Sequence, residues 1–230
     1  MRDSDRPPVL AHLRFAAARE SFVGLDLKRR FERIHRTNLW GAKTSVSGLG
    51  SEADATTTLA RELPRLLDTL GVSTLLDAPC GDASWIGGMK LEQRYIGVDI
   101  VPAIIDRLVQ RAAEGAIAGE FHRADITADA LPAADAILCR DCLVHLSFAN
   151  IARALSNFAR SNARYLIATA FTGWRQNRDI EDGDWRPLNL QAQPFGFPAP
   201  LALLDERCAE AEGGYADKCL GVWRVADISR

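Results

Sequence analysis

A chain of 230 residues, 47% hydrophobic and 25% charged, is long enough to bury one sizeable core and has the balance of a soluble globular enzyme. Its formal net charge of −2 argues against nucleic acid held by bulk electrostatics, and no apolar run approaches the roughly 18 residues of a membrane span. The charge is uneven: residues 1–45 carry ten Lys/Arg and five acids, about +5, which leaves about −7 for the remainder. That basic arm reads as a solvated helix face or as a field that draws an anionic substrate.

In chain order, residues 9–36 show helical periodicity with many charges. NLWGAKTSVSGLGSE (38–52) is rich in Gly and Ser and reads as a loop, ordered because Trp40 is costly to leave in water. Residues 54–70 repeat leucine at three- and four-residue steps, and Gly71 ends that helix. STLLDA (73–78) is a first strand, followed by the turn PCGD. RYIGVDI (94–100), EFHRAD (120–125), ADAILCR (134–140) and RYLIATAF (164–171) are further strands, with helices at 103–114 and about 148–160. Strands alternating with helices imply a parallel sheet covered on both faces. The rhythm then breaks: an insertion of about 172–200, a helix at about 201–209 and a final strand GVWRVADI suggest an antiparallel edge. The expected division is an N-terminal helical arm and lid loop (1–52) and a single α/β domain (53–230).

Ligands in open parallel sheets bind beyond the carboxyl ends of the strands, so those ends carry the functional reading. In LLDAPCGDASW (75–85), Gly81 allows close backbone approach, and the start of a following helix would offer amide donors. Asp99 ends the second strand 18 positions after Gly81, placed to accept from the hydroxyls of a ribose. Asp125 and Ile126 end the third strand and suit an adenine. A pyrophosphate turn wants three glycines, whereas this one has a single glycine between Asp77 and Asp82. Two acids repel a pyrophosphate but suit a cationic ligand such as S-adenosylmethionine, with its sulfonium and ammonium.

LLDAPCGD, YIGVDI, HRADIT and DAILCRD, in this order and spacing over about 54–171, resemble the successive motifs of class I S-adenosylmethionine-dependent methyltransferases. The closing WRPLNLQAQPFGFPAP and YADKCLGVWRVADI, with a Trp-Gly…Ser-x-Ser-Gly loop before the core, are similar to a bacterial small-molecule subgroup. The resemblance implies a Rossmann-like, doubly wound seven-stranded sheet of order 3-2-1-4-5-7-6 with strand 7 antiparallel. It implies Asp77, Ala78 and Gly81 along the methionine, Asp99 on the ribose with Ile100 against adenine, and Asp125 and Ile126 completing the adenine pocket. Arg140 and Asp141 would face the methionine end and the substrate. Pro79-Cys80 departs from the family's usual glycine-rich turn.

CRDCLVHL (139–146) holds a C-x-x-C pair and His145. A zinc site needs about four ligands, and the chain has no second such pair. A redox pair belongs to a different cleft. A strand end in a ligand pocket remains. The five cysteines (Cys80, Cys139, Cys142, Cys208, Cys219) read as reduced thiols, and with no signal-peptide core the expected location is cytoplasmic. No metal is expected. His145 reads either as a general base or as a structural residue near the helix cap at Ser147; Asp141 is the other candidate base. Trp40, Ser45 and Ser47 would close over the cofactor as a lid. Trp174, Arg175, Trp185 and Arg186 would line the acceptor site, and a paired arginine there favours O-methylation of a carboxylate. The alternatives are an amine or hydroxyl acceptor, a silent S-adenosylmethionine-binding module and a nucleotide-dependent dehydrogenase. The expected partner is a small-molecule acceptor, with neither nucleic acid nor membrane, and the chain a monomer or homodimer.

Overall fold

The computed structural model describes residues 6–228, so Arg2, Asp3 and Asp5 of the basic arm lie outside the described residues. The arm comprises α1 (Leu10–Ala18) and α2 (Leu27–Thr37), and α3 (Ala53–Thr69) leads into the sheet. The Asp26 carboxylate accepts from the Arg29 amide at 2.8 Å and starts α2, and left-handed Asn38 ends it. Strands β1 (Thr74–Asp77), β2 (Arg94–Asp99), β3 (Glu120–Arg123), β4 (Ala136–Cys139), β5 (Tyr165–Phe171), β6 (Ala202–Asp205) and β7 (Lys218–Arg224) form one sheet. Its order is β3-β2-β1-β4-β5-β7-β6, with the β7 pairings antiparallel and the others parallel, as expected.

Alternation along the strands divides the core between the two faces. Leu76, Val98, Ile137 and Leu166 point toward Ile151, Ala154 and Phe158 of α5 (Phe148–Arg160). Leu75, Leu138, Ile167 and Val222 point toward Leu59, Leu63 and Leu67 of α3 and Leu108 of α4 (Pro102–Ala113). Parallel register sets Asp77 opposite Gly97 and Leu138, and Asp99 opposite Arg123. The carboxyl ends of β1 to β4 thereby lie side by side on one edge.

Two expectations change. Residues 201–209 are not helical, because LALLD alternates between half-buried and exposed positions as the edge strand β6, leaving Leu201 and Leu203 about half exposed. No helix follows β1 either: Pro79 has no amide hydrogen to give and Ala83 is left-handed (φ 48°), so residues 78–93 run as turns. Short segments later in the chain are α6 (Glu210–Gly213) and α7 (Val225–Ile228). Among the described residues no helix is long and apolar enough to cross a membrane.

Candidate active site

Two adjoining cavities open at the carboxyl edge of β1 to β4. The larger, about 960 Å³, is lined by Asp77, Gly81, Asp99, Ile100, Asp125 and Ile126 from the sheet ends and by Leu27, Phe31 and His35 from α2. The smaller, about 450 Å³, is lined by Phe171, Trp185, Glu210 and Lys218. Trp40, Ser47, Asp141 and His145 line both.

At the large cavity, Asp99 Oδ1 accepts from the Val101 amide at 2.8 Å and Oδ2 from the Gly81 amide at 3.2 Å. Burial pushes its pKa up to about 6 despite those bonds. Each oxygen keeps a further lone pair, so the carboxylate is aimed and still able to take two hydroxyls. Asp77 accepts from the Tyr95 hydroxyl at 2.8 Å, and burial raises its pKa to about 7, with Tyr95 and Arg140 opposing. Asp125 Oδ1 accepts from the Thr127 amide at 2.8 Å and its hydroxyl at 2.7 Å, beside the apolar Ile126. Gly81 is left-handed (φ 53°), and a Cβ there would run into the Ser47 side chain.

The arm forms the roof. Asp82 Oδ2 accepts from the Ser45 hydroxyl and the Val46 amide, both at 2.9 Å, while the Asp82 amide donates to Ser47 Oγ at 2.9 Å. Residues 38–52 are thus tied to the turn after β1. Trp40 stacks on His145 with ring centroids 4.1 Å apart, and its indole N–H is buried without a partner among the described residues.

Between the cavities lies a buried charge cluster. Lys218 Nζ stands 2.6 Å from Asp141 Oδ2 and 3.4 Å from Glu206 Oε2. Arg140 donates to Glu206 Oε2 at 2.7 Å and to the Gly50 carbonyl at 2.8 Å. Burial works to raise the Asp141 pKa, yet Lys218 and then Arg140 hold it well below the usual carboxylate range. Asp141 is also left-handed (φ 49°), its amide donating to Thr169 Oγ1 at 2.8 Å. His145 stands with Nδ1 2.7 Å from the Asp184 carbonyl, so that nitrogen carries the proton and Nε2 is the acceptor. Burial lowers the His145 pKa to about 4, which keeps the ring neutral.

Several expected site residues fall elsewhere. Ala78 is fully buried in the core, its amide donating to Leu138 O at 2.8 Å, and it lines neither cavity. Ser45 lines neither cavity; its hydroxyl donates to Asp82 Oδ2 and accepts from the Ser47 amide at 3.0 Å. Arg186 is spent on main chain, donating to Leu143 O at 2.7 Å and Leu146 O at 2.8 Å. Arg175 is exposed and lines neither cavity. Trp174 lies under the Arg6 guanidinium, 5.3 Å from its ring centroid, so of the four expected acceptor residues only Trp185 lines a cavity. Asp141, fixed on Lys218 and strongly acidic, is a poor proton acceptor. Phe197 and Trp223 cover the sheet, packed edge to face at 5.4 Å.

Cys139 and Cys142 are both buried, and the Cys139 contact, then burial, raises the Cys142 thiol well above its ordinary value. Among the described residues no group of three or more His, Cys, Asp or Glu is placed to hold a metal.

Residues 75–163 match a family model described as a methyltransferase domain. No curated protein matches the chain. The N-methyltransferase NodS from Bradyrhizobium japonicum WM9 is similar in structure: 16% identical, covering 76% of this chain and 98% of that one, with a TM-score of 0.51. Magnesium protoporphyrin IX methyltransferase from Synechocystis PCC 6803, solved with S-adenosylmethionine bound, is 17% identical over 69% of this chain and 81% of that one, TM-score 0.48. The bacterial CtHen1-C methyltransferase domain is 12% identical at a TM-score of 0.44, and the match spans 50% of this chain and 66% of that domain, just under two thirds of its length. The match over residues 75–163 and the order of the seven-stranded sheet fit a methyltransferase domain of the S-adenosylmethionine-dependent kind. The residues fit that donor: an aimed, buried Asp99 for the ribose, Ile126 beside Asp125 for the adenine, and the acidic Asp77 for the cationic end.

Proposed function

We propose that the chain transfers the methyl group of S-adenosylmethionine to a protic small molecule, an amine or a hydroxyl compound, held in the smaller cavity. The observation that carries this reading is the meeting of the two cavities at Trp40, Ser47, Asp141 and His145. A donor in one and an acceptor in the other would be in reach of in-line displacement there, and alignment supplies much of such a rate. When bound, the donor supplies an electrophilic methyl carbon on a sulfonium.

The residues of the chain do the rest. Asp99 and Asp125 hold the nucleoside end, and Asp77 faces the charged end. His145 Nε2 accepts the N–H or O–H hydrogen of the acceptor and aims its lone pair. The lowered pKa suits this work, since the ring stays a neutral acceptor above about pH 5. Trp40 and the roof loop exclude water. The arginine pairing that favours a carboxylate acceptor has no support once Arg175 and Arg186 lie away from both cavities. A cytoplasmic enzyme with its thiols reduced, monomeric or dimeric, is consistent with this reading.

Calorimetric titration with S-adenosylhomocysteine, followed by labelled-methyl transfer, tests it. His145→Ala should lower kcat by about 100-fold or more, with affinity for S-adenosylhomocysteine retained. Unchanged kcat would remove His145 from the reaction.

A further inference from the structure

The smaller cavity has a definite electrostatic character. Trp40, Phe171 and Trp185 give it aromatic walls, and Asp141, Glu210 and Lys218 its charges. Lys218 is already committed, with its ammonium 2.6 Å from Asp141 and 3.4 Å from Glu206, and only 6% of its side chain exposed. Asp141 is committed to Lys218 in return.

Glu210 is different. Its carboxylate lines the cavity but makes no hydrogen bond or ion pair among the described residues; Lys218 and Asp141 act on it only through space. Burial raises its pKa against the distant pull of Lys218, so its ionised form is only partly compensated. A half-buried carboxylate without a directly bonded counter-charge, beside aromatic faces, is a setting that a nitrogen cation stabilises. It gains a Coulombic partner and ring quadrupoles at the same point. An anionic acceptor would instead meet Asp141 and Glu210, with the one lysine present already neutralised.

We propose, resting on the methyltransferase reading above, that the acceptor is an amine, bound as its ammonium among Trp40, Phe171 and Trp185 with Glu210 as counter-charge. The ammonium loses one proton to solvent, and one of the N–H groups that remain donates to His145 Nε2. The nitrogen lone pair forms the new N–C bond while the C–S bond breaks and its electron pair stays on sulfur. The donor leaves as a neutral thioether, and the positive charge ends on the methylated nitrogen. Glu210 therefore selects the acceptor, and Asp141 with Lys218 shapes the wall it binds against.

The test uses three probes of one shape, benzylamine, benzoate and benzyl alcohol, titrated calorimetrically into the S-adenosylhomocysteine complex of the full chain. Benzylamine should bind at least about tenfold more tightly than either of the others. Glu210→Gln should weaken benzylamine about tenfold or more, Glu210→Asp should keep part of the affinity, and S-adenosylhomocysteine should bind both variants as it binds the parent. Benzoate binding as tightly as benzylamine, no benzylamine binding at millimolar concentration, or an indifferent Glu210→Gln would each overturn the amine assignment while leaving methyl transfer standing. A chain that fails to bind S-adenosylhomocysteine at all would overturn the underlying reading instead.

Discussion

At the scale of single residues, the two buried carboxylates of the cofactor cavity make affinity depend on pH. Asp77 and Asp99 titrate near 7 and 6 in the folded chain, against an ordinary value of 3.8. A raised folded pKa means that the native state binds the proton more tightly than the unfolded chain. The stability these groups contribute is therefore full below about pH 4, and it is lost as pH rises through 6 and 7. A bound ammonium and ribose reverse that preference, because they interact best with the ionised carboxylates. Affinity for S-adenosylhomocysteine should thus rise between pH 5 and pH 8 with release of protons, measurable by calorimetry in buffers of different ionisation enthalpy. Asp77→Asn should flatten the dependence, and Asp99→Ala should cost about 100-fold in affinity, since it removes an aimed acceptor from a buried site. Unchanged affinity in Asp99→Ala would sink the assignment of the cavity.

At the scale of elements, the charge cluster ties the end of β4 to β6 and β7, strands with which β4 does not pair. Arg140 and Asp141 follow β4, Glu206 follows β6, and Lys218 opens β7. Lys218→Met would leave Asp141 without its nearest partner and Glu206 with Arg140 alone. Breaking one partner of a buried pair costs about 3–5 kcal/mol, so the variant's urea midpoint should fall clearly, with little change in m if the fold is kept. Much of this arrangement was legible beforehand: the strand order was implied by the family resemblance, while the edge that holds the cavity, with Gly81, Asp99 and Asp125 on it, follows from strand ends and spacing. Lys218 left a fainter signal, as the charge opening the otherwise apolar KCLGVW. Glu210 left none, because its importance comes from the fold bringing the short α6 to the cavity. Arg186 misled for the opposite reason, since an arginine beside tryptophans looks the same in sequence whether it faces a ligand or three carbonyls. LALLD suits a helix or an edge strand equally until its pairing with β7 is known.

At the scale of the whole molecule, the arm and the sheet ends line one cavity. The arm is held against the later segments by Arg6 on Asp217, His12 on Asp184 at 2.8 Å, Arg19 on Glu181, and Arg30 donating to Asp182 O at 3.2 Å. Arg19 is largely exposed, so that pair contributes little, and the join depends more on the apolar packing of Val9, Ala11, Leu27 and Phe31 against the cores on the sheet. Leu27, Phe31 and His35 of α2 nevertheless line the cofactor cavity opposite Asp99. A ligand held there would touch both the arm and the sheet ends. At 100 times its Kd, S-adenosylhomocysteine adds about 2.7 kcal/mol to stability, which for a chain of this size is a Tm rise of roughly 5–10 °C. The location of the added stability is the sharper test. Hydrogen exchange should slow in α2 and in residues 38–52 as much as in the turn after β1, because all three close on the same ligand. Protection confined to the sheet ends would mean that the arm is packing alone, and Trp40 would then have no part in holding the cofactor.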